Sequence, residues 1–208
     1  DFEEMVKVGQ QHGIDFMLDM VLNHCSIEHE WFQKALAGDS YYQDFFILRD
    51  EPTDWLSKFG GSAWAPFGDT GKYYLHLFDV TQADLNWRNP NVRQELFNVV
   101  NFWRDKGVKG FRFDVINLIG KDEVLEDCPE NDGKPAYTDK PIVHDYLHMM
   151  NAATFGKDDS FMTVGEMSAT TIENCILYTA PDRQELSMAF NFHHLKVDYE
   201  AGQKWTLK

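Results

Sequence analysis

Four times along this chain a stretch with helical periodicity is followed at once by a short apolar stretch of strand character. Phe2, Met5, Val6 and Gly9 recur at helical spacing and Gly13 closes the pattern, after which DFMLDMV (15–21) predicts a strand. Asn89 as a cap and Pro90 at the first helical position open a second helix, with Val92, Leu96, Val99, Val100 and Trp103 on its apolar side. Gly107 ends it, and GFRFDV (110–115) follows. A third helix is expected over 144–155 before the strand FMTVGE (161–166), and a fourth over 171–178 before SMAFNF (187–192). Strands that alternate with helices make a parallel sheet, either open and doubly wound or closed as an eight-stranded barrel. No GxGxxG or GxxxxGK[ST] loop follows any of the strands, which removes the usual mark of a doubly wound nucleotide-binding sheet and favours the barrel.

Between the first and second units, over 25–83, the text changes to aromatic and polar loop material, dense in glycine at FGGSAWAPFGDTGKYY (59–74). The expected organisation is therefore a barrel helix and strand over 1–24, an inserted excursion over 25–83, and further barrel units over 84–208. With 43% hydrophobic residues, six Trp and sixteen Phe, 208 residues can bury a large core. A formal net charge of −15 argues against a nucleic-acid partner, because phosphate backbones are held by clustered Lys and Arg. No apolar run approaches the roughly 20 residues that span a bilayer, so no membrane segment is expected. Cys25, Cys128 and Cys175 are an odd set without metal-type spacing, which predicts reduced intracellular thiols in a reducing compartment. The start at Asp1, already inside an amphipathic pattern, reads as internal to a longer protein.

Charge inside GFRFDV needs a separate reason. Side chains alternate along a strand, so Arg112 and Asp114 share one face while Phe111 and Phe113 share the other with Val115. Asn23 and His24, Arg112 and Asp114, and Glu166 all fall at the C-terminal ends of predicted strands, the edge at which barrel enzymes carry chemistry. Any one of these residues alone reads better as a buried ion pair, a satisfied histidine or a helix cap. Together they set an arginine-paired carboxylate, Asp114, near a second carboxylate, Glu166, in the apolar setting TVGEM. Opposed environments of that kind drive two carboxylates towards different ionisation, as a nucleophile and an acid require.

DMVLNH (19–24), QADLN (82–86), GFRFDV (110–115) and VGEM (164–167) resemble, in order and spacing, four conserved regions of the alpha-amylase family of glycoside hydrolases. The resemblance implies a catalytic (β/α)8 barrel with an excursion, called domain B, after its third strand. It implies that this chain supplies about the third to sixth strands, since a full barrel of this kind needs roughly 250 residues. The family's remaining histidine and transition-state-stabilising aspartate are then expected beyond Lys208. By resemblance Asp114 is the nucleophile, Glu166 the general acid and base, Arg112 the residue that orients Asp114, and His24 a donor to the sugar. Asp19 and Asn23 support the site, and Asp84 helps to hold domain B. No cofactor is expected; calcium is an alternative that the subset resembled often lacks.

Val115 after the nucleophile resembles oligo-1,6-glucosidases and their relatives, and it is expected to contribute to substrate choice. The tail over 185–208, with TVGEMSATT and GKPAYTDKP, is similar to the cytoplasmic members that split trehalose 6-phosphate into glucose and glucose 6-phosphate. A phosphorylated disaccharide needs a local cationic cluster on so acidic a chain, for which FHHLK supplies Lys196 with His194 as a further donor, and Lys204 lies farther along. The alternatives are an oligo-1,6-glucosidase or α-glucosidase, a transglycosylase, and a non-catalytic relative acting as an interaction protein. The presence of both Asp114 and Glu166 weighs against the last. Cys25 stands where the family commonly has threonine, and its place beside His24 predicts a site sensitive to thiol reagents.

Overall fold

The structure, a computed structural model, describes residues 1–129 and 132–192. Helix α1 (Phe2–Gln11) carries Glu3 and Glu4 in its first turn, where the helix dipole favours negative charge, and His12 and Gly13 (φ +70°) end it. Strand β1 (Met17–Val21) follows. The excursion then contains β2 (His24–Ser26), α2 (Glu30–Leu36), α3 (Ser40–Gln43), β3 (Leu48–Arg49), β4 (Trp64–Pro66), β5 (Tyr73–Leu75) and β6 (Gln82–Asp84). Helix α4 (Pro90–Asp105) starts where the Asn89 side chain accepts from the Asn91 N–H, and it buries Val92, Leu96, Phe97 and Val100. It leads to β7 (Gly110–Asp114), and α5 (Ile142–Ala153), β8 (Met162–Met167), α6 (Ile172–Thr179) and β9 (Met188–Asn191) complete the order.

Strands β1, β7, β8 and β9 pair in parallel, in that order across the sheet. Spatial order equals chain order, so the described sheet has no point at which the winding reverses, as a doubly wound sheet requires. It is an arc of a barrel. One face holds Phe111 and Phe113, both fully buried, against Phe155 and Phe161 at ring distances of 5.1–5.9 Å. Each such burial contributes about 1.5–3 kcal/mol. At Gly165 on β8 a Cβ would lie 2.6 Å from Met167 Cε and 2.7 Å from Leu186 Cδ1, so any larger residue there makes those side-chain ends move.

The ends of the excursion meet: β2 pairs antiparallel with β6, His24 opposite Asp84. Within it β3, β5 and β4 form a small antiparallel sheet. Its aromatics divide. Phe32, Phe45, Phe46 and Phe67 join the core of the barrel arc, whereas Trp55, Trp64, Leu75 and Leu77 pack with Val115, Leu118 and Tyr137 from the segment after β7. That segment is also tied by backbone carbonyls: Trp55 Nε1 donates to Glu126 O at 2.8 Å, and Arg49 Nη1 donates to Leu125 O. Predicted elements and observed ones differ by one or two residues at their ends. The one difference of substance is Val115, which is not on the strand face with Phe111 and Phe113. The strand ends at Asp114, and Val115 turns into the left-handed region (φ 37°, ψ 42°) as the cap of a 3-10 turn, Ile116–Leu118.

Candidate active site

The C-terminal edge of the sheet gathers Asp19 from β1, Arg112 and Asp114 from β7, and Glu166 from β8. The register makes Asp19 the neighbour of Arg112, and alternation places Asp114 on the same face as Arg112. Arg112 Nη1 donates to Asp19 Oδ1 at 2.7 Å and to Asp114 Oδ1 at 2.8 Å, while Nη2 lies against Glu166 Oε2. Apart from that contact, Glu166 Oε2 is buried without a hydrogen bond. One guanidinium therefore serves three carboxylates. Burial pulls its pKa down, but the bonds to Asp19 and Asp114 outweigh this and raise it above the ordinary arginine value. This corrects the expected division of environments: Glu166 does not sit in a purely apolar pocket but shares its cation with Asp114.

His24 is 6% exposed at the start of β2. Its Nδ1 lies 3.3 Å from Asn23 Nδ2 and its Nε2 3.2 Å from Gln82 Nε2, with the Phe78 ring tilted against it at 5.2 Å. Burial lowers its pKa, against the opposing pull of Asp84 and Asp114, so the neutral ring is favoured. His24, Gln82 and Asp114 line one cleft of about 540 Å³ with Val21 and Ser26. A second cavity, about 530 Å³, lies between the excursion and residues 119–125 and contains none of the carboxylates of the sheet edge.

Behind His24 is a buried cluster. Asp84 is fully buried; its Oδ1 accepts from Asn23 Nδ2 at 2.9 Å and pairs with Lys121 Nζ at 2.9 Å, and its Oδ2 accepts from the Leu77 N–H at 2.8 Å. Lys121 Nζ also donates to Asn23 Oδ1 at 2.7 Å. Burial pushes the Lys121 pKa down, and the Asp84 charge opposes that. Asn23 and Asp84 thus join the excursion to the sheet through a lysine that sequence reading missed, because GKDE looks like an exposed loop. Among the described residues no group of three or more His, Cys, Asp and Glu is arranged to hold a metal ion.

Two expectations change. Val115 is 5% exposed and packs among Trp55, Leu118 and Tyr137, so its side chain shapes the wall behind the site and is not brought to the cleft lined by Asp114. Cys25, with burial as the main cause and the Asp84 charge adding to it, has its thiol pushed up to about 12. The thiolate needed for alkylation is scarce there, which removes the basis for the expected reagent sensitivity. All three cysteines are unpaired. His193, His194, Lys196 and Lys204, the expected phosphate cluster, lie outside the described residues. No described helix is long and apolar enough to cross a membrane.

Residues 1–208 match the family model described as "Alpha amylase, catalytic domain". The chain is 52% identical to the trehalose-6-phosphate hydrolases of Bacillus subtilis (strain 168) and Escherichia coli (strain K12), covering 100% of this chain and 38% of each relative. It is 43% identical to the oligo-1,6-glucosidase of Parageobacillus thermoglucosidasius, over 100% of this chain and 39% of that enzyme. The crystal structure of Bacillus licheniformis trehalose-6-phosphate hydrolase superposes with a TM-score of 0.92 at 52% identity, again over 100% of this chain and 38% of the other. The sheet-edge carboxylates, the sequential parallel strands and these likenesses agree, and the chain belongs to the alpha-amylase family as part of its catalytic (β/α)8 barrel.

Proposed function

We propose that the full-length protein is a retaining glycoside hydrolase that cleaves trehalose 6-phosphate to glucose and glucose 6-phosphate. The observation that carries the chemistry is the sharing of Arg112 by Asp114 and Glu166. Two carboxyls contacting one guanidinium are held near each other, which favours the about 5–5.5 Å spacing of a retaining pair over the about 6.5–9.5 Å of an inverting one. Asp114 attacks the anomeric carbon and forms a glucosyl ester as Glu166 gives its proton to the leaving oxygen. Glu166 then takes a proton from the water that attacks the ester, releasing glucose and restoring Asp114. His24, neutral and lining the cleft with Gln82, donates to a sugar hydroxyl from Nε2, where the hydroxyl replaces the Gln82 amide. Arg112, itself held by Asp19, fixes the Asp114 carboxyl.

The substrate rests on the 52% identity to two trehalose-6-phosphate hydrolases, with His194 and Lys196 as the proposed phosphate contacts. A cytoplasmic location goes with this reading, since sugar phosphates are made and used inside cells. No calcium is invoked at the junction of excursion and sheet, where the Lys121 ammonium already bridges Asn23 and Asp84. The second reading, an oligo-1,6-glucosidase, has the 43% identity in its favour. The test is kcat/KM of the full-length protein on trehalose 6-phosphate and on isomaltose. A preference for trehalose 6-phosphate, with glucose and glucose 6-phosphate as products, is expected. A preference for isomaltose overturns the substrate assignment and leaves the two carboxylate roles standing.

A further inference from the structure

The ladder between β7 and β8 stops one residue short of the chemistry. Its last pair is Phe113 with Gly165, so Asp114 is laddered only to β1 and Glu166 only to β9. Beyond that pair the two strands are joined by a side chain. Asn117, fully buried on the 3-10 turn after Asp114, accepts from the Ser168 N–H at Oδ1 (2.8 Å) and donates from Nδ2 to the Ser168 carbonyl (2.8 Å). A carboxamide bonded to both the N–H and the C=O of one residue stands in for a further rung of the sheet.

The same Nδ2 donates to Asp139 Oδ1 at 2.9 Å, and the Asp139 N–H donates to the Asn117 carbonyl at 3.1 Å. Asp139 is fixed in turn by Tyr178 OH (3.0 Å) and Asn174 Nδ2 (2.9 Å). Three of the five described non-glycine residues with positive φ border this node: Val115, Asp139 and Ala169 at 37°, 50° and 53°. Such backbone persists only where the surroundings over-determine it, and it concentrates at working sites. Val115 directly follows Asp114, and Ala169 follows Ser168, two residues after Glu166.

We propose that Asn117 is a positioning residue: its carboxamide extends the β7–β8 ladder past its last backbone pair and sets the spacing of Asp114 and Glu166, with Asp139 orienting the amide. The proposal rests on the glycosidase reading for its kinetic consequence and on geometry alone for its structural one. The experiment uses the full-length protein with Asn117→Ala, Asn117→Asp and Asp139→Asn, assayed on aryl α-glucosides of graded leaving-group ability. A misplaced acid matters most where the leaving group needs its proton. Asn117→Ala is therefore expected to lose about 10²-fold in kcat/KM on a poor leaving group and less than about tenfold on an activated one, with the affinity for glucose as inhibitor unchanged. Asp139→Asn is expected to lose in the same pattern to a smaller degree, and it carries the test if Asn117→Ala does not fold. Crystal structures of wild type and variant give the carboxyl separation without reference to activity, so an inert wild type sinks the glycosidase reading and leaves this arm standing. An unchanged separation, or a loss equal for all leaving groups in a folded variant, overturns the proposal.

Discussion

Two clusters of carboxylate and cation stand side by side at the same edge of the sheet, and they are built to opposite specifications. In the first, Lys121 and Asp84 form a one-to-one pair, almost fully buried, with Asn23 and the Leu77 N–H taking up the remaining bonding capacity. In the second, Arg112 alone faces the three carboxyl groups of Asp19, Asp114 and Glu166, and the Asp19 side chain is 60% exposed. Residue types do not separate structure from chemistry here, since both clusters contain Asp and a long cation. What separates them is completeness. A buried, fully bonded one-to-one pair holds the fold, whereas an open cluster with more carboxyls than cations can take up a proton or attack a carbon.

The largest effect that sharpens this contrast is loss of turnover from the open cluster. In the full-length protein Glu166→Gln is expected to reduce kcat on an unactivated glycoside by about 10³-fold or more, and Asp114→Asn to abolish it. Both variants should keep the wild-type thermal midpoint or exceed it, because each replaces one of three carboxyl groups crowded on a single guanidinium by a neutral amide. A large drop in midpoint with either would place that residue with the structural cluster instead.

Next in size is the closed cluster. Lys121→Ala leaves a carboxylate buried without its cation, which costs about 3–5 kcal/mol in comparable cases and is measured by urea unfolding. Adding Asp84→Leu to Lys121→Met should recover much of that loss. A Lys121→Ala variant within about 1 kcal/mol of wild type would erase the distinction between the two clusters.

The smallest effect is one of pH. Burial depresses the His24 pKa below its ordinary 6.5, so the stability that goes with the neutral ring is fully present above pH 6.5 and is lost as pH falls towards and through the folded value. Wild type should therefore lose more stability than His24→Asn between pH 7.5 and 5.5. Parallel pH profiles for the two would mean that His24 titrates as it does in the unfolded chain.

Much of this architecture could be read from the residues. Helical spacing before each strand places all four parallel strands, and period-two alternation in GFRFDV places Arg112 and Asp114 on one face. Other features left no trace because they depend on partners distant in sequence or on the backbone. Lys121 follows a turn and looks solvated until Asn23 and Asp84, far from it in the chain, close around it. Arg49 and Trp55 bond to carbonyls of residues 125 and 126, and a carbonyl looks the same whatever side chain follows it. Val115 was misplaced because its β-branched side chain favours a strand, and the turn after Asp114 overrode that preference. Asn117 stood in plain view in GFRFDVIN, but an asparagine beyond a strand reads as an ordinary turn residue, and its role depends on Ser168 lying across the sheet.

The meeting of β2 and β6 gives the fold a hinge point for evolution and engineering. Since His24 and Asp84 sit opposite one another, about sixty residues can be exchanged between relatives while the flanking chain stays where it is. Pocket walls could then diversify without disturbing the carboxylates. The exchange would not be a clean cassette, however. Trp55 and Arg49 would travel with the insert while their partners around 125–137 stayed behind, and Phe32, Phe45, Phe46 and Phe67 would leave the core of the barrel arc, so a chimera respecting only the obvious borders would have to repack both cores. Inheritance of a new specificity in this family would then require two separate segments to change hands together.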